Sequence, residues 1–123
     1  MLASKAVLII EDNVYLAMDL ADAVVDLDGR VLGPVSTLDE AFAILDAGKV
    51  GAAVLDYELP GVDVAPLARA FVALRVPFVI HTARSIRPEV TLLRPGTPVL
   101  MKPIRPCDLV SILAHEVIRA EEV

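Results

Sequence analysis

The chain alternates between short apolar runs and longer stretches whose apolar positions recur every three or four residues. Ala6–Ile10, Arg30–Val35, Ala52–Asp56, Pro77–Thr82 and Thr97–Met101 are of the first kind. Near-continuous apolar runs of this length predict strands of a parallel sheet covered by helices on both faces. Within Val14–Leu27, residues Leu16, Leu20, Ala23, Val24 and Leu27 share one helical face, and Asp28-Gly29 closes that helix. Thr37 and Glu40 stand at capping-box spacing ahead of Ala41–Ala47, with Gly48 as the stop. Asp63 is expected to cap a third helix with Pro66 in its first turn, running to Leu74. Pro106 opens a last helix in which Leu109, Ile112, Leu113 and Val117 share a face. Between the last two strands, Arg84–Gly96 carries Pro88 and Pro95, so a helix there is short or irregular. Five strands and about five helices in strict alternation predict one α/β domain over residues 1–123. Its sheet is doubly wound, five-stranded and parallel, in order 2-1-3-4-5.

Composition narrows the function classes. Hydrophobic residues make up 56% of the chain, yet no apolar run approaches the roughly 20 residues that cross a bilayer. The first apolar segment, Ala6–Ile10, is too short for a secretory signal. A single cysteine, Cys107, excludes an internal disulfide. It fits a reducing compartment, and a cytoplasmic location is the expectation. The net charge of −6 argues against nucleic acid as a ligand, because phosphate backbones are held by basic faces. Two tyrosines, three phenylalanines and no tryptophan leave little for a base-stacking platform. Phe42, Phe71 and Phe78 read as core.

The candidate chemistry sits at the carboxyl ends of the strands, where open α/β sheets bind ligands. The first strand ends in Glu11-Asp12, the third in Asp56, the fourth in Thr82-Ala83 and the fifth in Lys102-Pro103. Three carboxylates gathered in one pocket repel one another and call for a cation or bound protons. Each residue also has a plain structural reading. Glu11-Asp12 suits the start of the first helix, Asp56 suits a turn before Pro60-Gly61, and Lys102 suits the surface. The coincidence at four strand ends favours a shared site.

The segments Ile9-Ile10-Glu11-Asp12-Asn13, Val54-Leu55-Asp56-Tyr57-Glu58-Leu59-Pro60-Gly61, Val79-Ile80-His81-Thr82-Ala83 and Val99-Leu100-Met101-Lys102-Pro103, in this order, resemble the receiver domain of bacterial two-component response regulators. The resemblance spans the whole chain and implies a flavodoxin-like receiver fold. It implies that Asp56 accepts a phosphoryl group as an acyl phosphate. Mg²⁺ would be bound by Asp12, Asp56 and the backbone carbonyl of Glu58, with Glu11 acting partly through water. Lys102 would offer a point charge to a phosphoryl oxygen, Thr82 its hydroxyl, and Ala83 room and a backbone N–H. Pro103 is expected to follow a cis bond that aims the lysine. The implied partners are a histidine kinase or phosphotransfer protein and a downstream protein of unknown identity, with the chain a monomer or homodimer. The protein would be no enzyme beyond assisting its own phosphorylation and dephosphorylation.

Three departures stand out. Many receivers carry an aromatic residue three positions before the lysine, and here that position is Val99. The signal is then expected to leave through Arg84–Gly96. Glu58 and Arg84 occupy positions flanking the water path to the acyl phosphate, so an ion pair between them would alter phosphoryl lifetime. Val31–Leu38 with Glu40-Ala41, and Pro77-Phe78-Val79, are similar to a subgroup of stand-alone receivers paired with HWE-type histidine kinases. That subgroup ends strand four in Phe-Ala-Thr-Gly-Tyr, whereas this chain has Ile80-His81-Thr82-Ala83-Arg84.

The alternatives are a receiver-like scaffold that is never phosphorylated and a Mg²⁺-dependent aspartyl-phosphate phosphatase, for which Asp56-Tyr57-Glu58 is a loose match. A flavin or nucleotide site is weaker, because the loop after strand one is not glycine-rich. His81 alternates to the side opposite Thr82 and reads as packing or loop-facing. His115 reads as surface, and Cys107 as packing in the first turn of the last helix.

Overall fold

The computed structural model describes residues 2–86 and 96–122. Five strands form one parallel sheet: β1 (Ala6–Ile10), β2 (Arg30–Val35), β3 (Ala52–Asp56), β4 (Phe78–Thr82) and β5 (Val99–Met101). Their order is β2-β1-β3-β4-β5, as the alternation predicts. Among the described residues four helices connect or follow them: α1 (Val14–Asp26), α2 (Leu38–Asp46), α3 (Ala65–Ala73) and α4 (Pro106–Glu121). Most of the expected segment between β4 and β5, residues 87–95, lies outside the described residues.

Strand alternation sorts the core into two layers. Leu8, Ile10, Ala53, Leu55, Phe78 and Ile80 pack on the α2–α3 side, where the Phe71 and Phe78 rings lie 5.3 Å apart. Val7, Ile9, Ala52, Val54 and Val79 pack on the α1–α4 side with Leu20, Leu109 and Leu113. Phe42 is partly buried against the first layer. Strands β1, β3 and β4 are buried end to end, as their apolar sequences require.

The helix starts follow local chemistry. Asn13 caps α1, its Oδ1 accepting the Leu16 N–H. Glu11 and Asp12 are therefore released from capping. Thr37 caps α2 through the Glu40 N–H, and its hydroxyl donates to the Glu40 carboxylate at 2.9 Å. Thr37→Ala is expected to cost about 1 kcal/mol, read by urea denaturation. The third helix differs from expectation. Its cap is Val64, with no side-chain cap, and Asp63 instead accepts the Ala65 N–H from one position earlier.

Gly33 breaks the regularity of β2. Its φ is +87°, and a Cβ there would lie 2.7 Å from the Val35 nitrogen. The β1–β2 register slips between Leu8 and Ile10, beside the cis Gly33–Pro34 bond. The Lys102–Pro103 bond is also cis, as the sequence implies.

Candidate functional site

The register aligns the strand ends. Ile10 pairs with Leu55, and Asp56 pairs with His81. Glu11, Asp56 and His81 thus continue the α1–α4 face, while Thr82 continues the α2–α3 face. Lys102 directly follows β5, and its N–H donates to the Thr82 carbonyl at 2.7 Å.

Glu11, Asp12 and Asp56 bring carboxylate oxygens within 4.8 Å of one another. Asp56 is 1% exposed. Its Oδ1 accepts the Glu58 N–H at 2.9 Å and faces the Lys102 Nζ at 3.3 Å. Its Oδ2 is buried without a hydrogen-bond partner among the described residues. Glu11 is buried as well, with Oε2 accepting the Asn13 N–H at 3.1 Å. Its Oε1 has no hydrogen bond and stands 3.8 Å from Lys102 Nζ. Burial pushes the Glu11 carboxyl up to about 7, helped by the neighbouring Asp56 and opposed by the Asn13 N–H and by Lys102. Asp12 is exposed at the rim.

This donor set fits a hard divalent cation. The three carboxylates converge, and two of their buried oxygens are left without a hydrogen bond. Lys102 alone leaves the group net negative. Glu11, Asp12 and Asp56 are the residues that would hold Mg²⁺. The Glu58 N–H donates to Asp56 Oδ1 and ties the β3–α3 turn to the site, and the Tyr57 N–H donates to the His81 carbonyl.

Across the strand ends a second group forms around Thr82. The Thr82 hydroxyl is buried, 2.7 Å from the Arg84 carbonyl oxygen and 3.2 Å from Glu58 Oε1. Glu58 Oε1 also accepts the Ala83 N–H. Glu58 Oε2 meets the Arg84 guanidinium at 3.5 Å, so the expected pair across the mouth is present. The Ala83 N–H, then the Thr82 hydroxyl, Lys102 and Arg84, hold the Glu58 carboxyl below the usual range. The Glu58 carboxylate already engages the two donors, Thr82 and Ala83, that the sequence resemblance assigns to a phosphoryl oxygen.

Sequence reasoning under-read His81. It is 1% exposed, its Nδ1 stands 3.9 Å from Glu11 Oε1, and neither ring nitrogen has a hydrogen-bond partner among the described residues. Burial, more than the nearby Lys102, lowers its pKa and keeps the ring neutral. The signal was its register with Asp56, legible only once the strands are aligned. His115 and Cys107 are exposed, so the surface reading of His115 stands and the packing reading of Cys107 does not. Val99 is half-buried and packs on the Phe71–Phe78 side. No helix among the described residues is long and apolar enough to cross a membrane.

No protein-family model matches the sequence. No curated protein matches it either. Solved structures do. A response regulator receiver protein from Sinorhizobium medicae WSM419 superposes with a TM-score of 0.83 at 19% identity, covering 98% of this chain and 99% of that one. SdrG from Sphingomonas melonis Fr1 is 33% identical over 96% of this chain and 99% of its own, with a TM-score of 0.78. The BeF3-activated conformation of SdrG from Pseudomonas melonis Fr1 is matched over the full length of both chains at 33% identity and a TM-score of 0.71. With the strand order, the acidic cluster and the lysine at the end of β5 in place, the chain belongs to the receiver-domain family of response regulators.

Proposed function

We propose that the protein is a phosphoacceptor receiver in which Asp56 takes a phosphoryl group from a phosphohistidine donor. The observation that carries the reading is Asp56 itself. It is a buried carboxylate with one oxygen tied down by Glu58 and Lys102 and the other, Oδ2, left without a hydrogen bond. In the reaction Oδ2 forms a bond to phosphorus as the phosphorus–nitrogen bond breaks, and the leaving imidazole keeps the electron pair. Little covalent work falls to the other side chains, which position and neutralise charge. Lys102 is close enough to follow charge from the carboxylate onto a phosphoryl oxygen. The Thr82 hydroxyl and Ala83 N–H receive another. Bound Mg²⁺ supplies charge neutralisation at the acidic cluster.

The donor is a histidine kinase, of the HWE type on the strength of the sequence resemblance, or a phosphotransfer protein. The exposed Val14, Tyr15 and Met18 at the start of α1 lie beside Asp12 and give such a partner an apolar contact. The output is a protein–protein contact, made in the cytoplasm. The protein turns over no separate substrate.

Incubation with acetyl phosphate and Mg²⁺, followed by intact-mass measurement, tests this. One hydroxylamine-sensitive phosphoryl adduct on the peptide containing Asp56 is expected. No adduct favours a scaffold, and steady phosphate release from many phosphoesters favours a phosphatase.

Glu58 sets the resting state of the acceptor. Its carboxylate must leave Thr82 and Ala83 before a phosphoryl oxygen arrives. Glu58→Ala is therefore expected to raise the initial rate of labelling by acetyl phosphate about threefold to tenfold, a part of the ~1.5–3 kcal/mol that a charge-assisted hydrogen bond contributes. A time course of adduct formation gives that rate.

A further inference from the structure

His81 lies at the floor of the site, and the chemistry above leaves it unused. A neutral imidazole carries one N–H donor and one acceptor nitrogen. Both are buried here without a partner, at a position 1% exposed to solvent. Buried polar groups are paired in folded proteins, and exceptions mark a catalytic role or a missing ion or water. The neighbours share the exception. Glu11 Oε1 and Asp56 Oδ2 are the other buried site atoms without a hydrogen bond. Strand register places the three residues side by side on one face of the sheet, His81 being the direct partner of Asp56.

Four unpaired atoms at three adjacent strand ends, two of them on His81, point to a single missing event. The gap between His81 Nδ1 and Glu11 Oε1 is 3.9 Å, just beyond hydrogen-bond reach. A small rotation of the Glu11 carboxylate closes it.

We infer that His81 is a positioning residue of the cation site, whose Nδ1–H hydrogen-bonds Glu11 Oε1 and fixes that carboxylate in the cation-bound state. This rests on the receiver reading and its Mg²⁺. Outer partners that orient ligating carboxylates govern metal affinity as well as the ligands themselves do. An apolar residue at position 81 fills the same space but leaves Glu11 free to turn.

Mg²⁺ titration calorimetry on the wild type, His81→Leu and His81→Asn tests the assignment. His81→Leu is expected to weaken Mg²⁺ binding about tenfold or more. His81→Asn, whose amide N–H falls near the position of Nδ1, restores most of that loss. Equal affinity in His81→Leu and wild type overturns the inference. The wild type gives a second reading that needs no variant. Of the two histidines in the chain, His115 is exposed and serves as an internal reference. The ring-nitrogen NMR resonances of His81 are expected to move on saturation with Mg²⁺. A His81 ring indifferent to saturating Mg²⁺ overturns the inference even if the variants fail to fold. A wild type with no saturable Mg²⁺ binding overturns the cation reading itself, and this inference with it.

Discussion

Replacing Lys102 by methionine is expected to slow phosphoryl transfer to Asp56 by about 10²–10³-fold, the usual cost of removing one preorganised charge at a reacting oxygen. Lys102 Nζ lies 3.3 Å from Asp56 Oδ1 and 3.8 Å from Glu11 Oε1, with a quarter of the side chain exposed. Methionine keeps most of the stem and deletes the charge. Asp56→Asn, by contrast, removes the acceptor and is expected to give no adduct at all. Intact-mass time courses with acetyl phosphate separate the two outcomes, slow labelling against none. Lys102→Met at the wild-type rate would make the lysine a counter-ion only. Stability moves too. Breaking a buried ion pair costs about 3–5 kcal/mol, and solvent access to Lys102 reduces this to roughly 1–3 kcal/mol.

Glu11→Gln is expected to stabilise the metal-free protein at neutral and higher pH while weakening Mg²⁺ binding. The Glu11 carboxyl rises from 4.5 to about 7 on folding. Below 4.5 the group is protonated in both folded and unfolded chains and contributes nothing to the difference. Between 4.5 and 7 the folded chain holds the proton longer, so stability falls as pH rises, by about 1.4 kcal/mol per pH unit. Above 7 the whole penalty, roughly 3 kcal/mol, is present. Glutamine carries no charge and still accepts the Asn13 N–H, so it escapes the penalty. Thermal melts without metal should show a gain of roughly 10–15 °C near pH 8 and almost none near pH 4.5. Added Mg²⁺ narrows the gap, because it stabilises the wild type by mass action. A variant no more stable than wild type at pH 8 would mean that Glu11 is not strained in the empty site.

The strands and their order were legible because a sheet buried on both faces writes unbroken apolar runs. Ala6–Ile10 and Ala52–Asp56, buried throughout, fall where the pattern puts them, as does the more exposed edge strand Arg30–Val35. The Thr37–Glu40 signal was legible because capping is local chemistry. The start of α3 was less so, since Asp63 makes a capping-type bond one residue too early and Val64 takes the cap position. Asp56, Lys102 and the Glu11-Asp12 pair were legible as polar breaks at strand ends. Side-chain direction was not. Nothing in Asp56-Tyr57-Glu58 says that Glu58 turns to Thr82 and Ala83, and nothing in Ile80-His81-Thr82 says that the imidazole reaches across Asp56 toward Glu11. Both depend on which strands are neighbours and in what register.

His81 and Thr82 are adjacent in the chain but point to opposite faces of the sheet, one toward the acids and the other toward Glu58 and Arg84. The carboxyl end of the sheet therefore works as a partition between two wards. On the proposed reading, charge is loaded on the α1–α4 side and reaches the α2–α3 side through the Thr82 hydroxyl and the Ala83 N–H. If Asp56 is the acceptor, uptake and response are expected to separate in Thr82→Val, which should still take the adduct by intact mass while the α2–α3 side no longer responds to it.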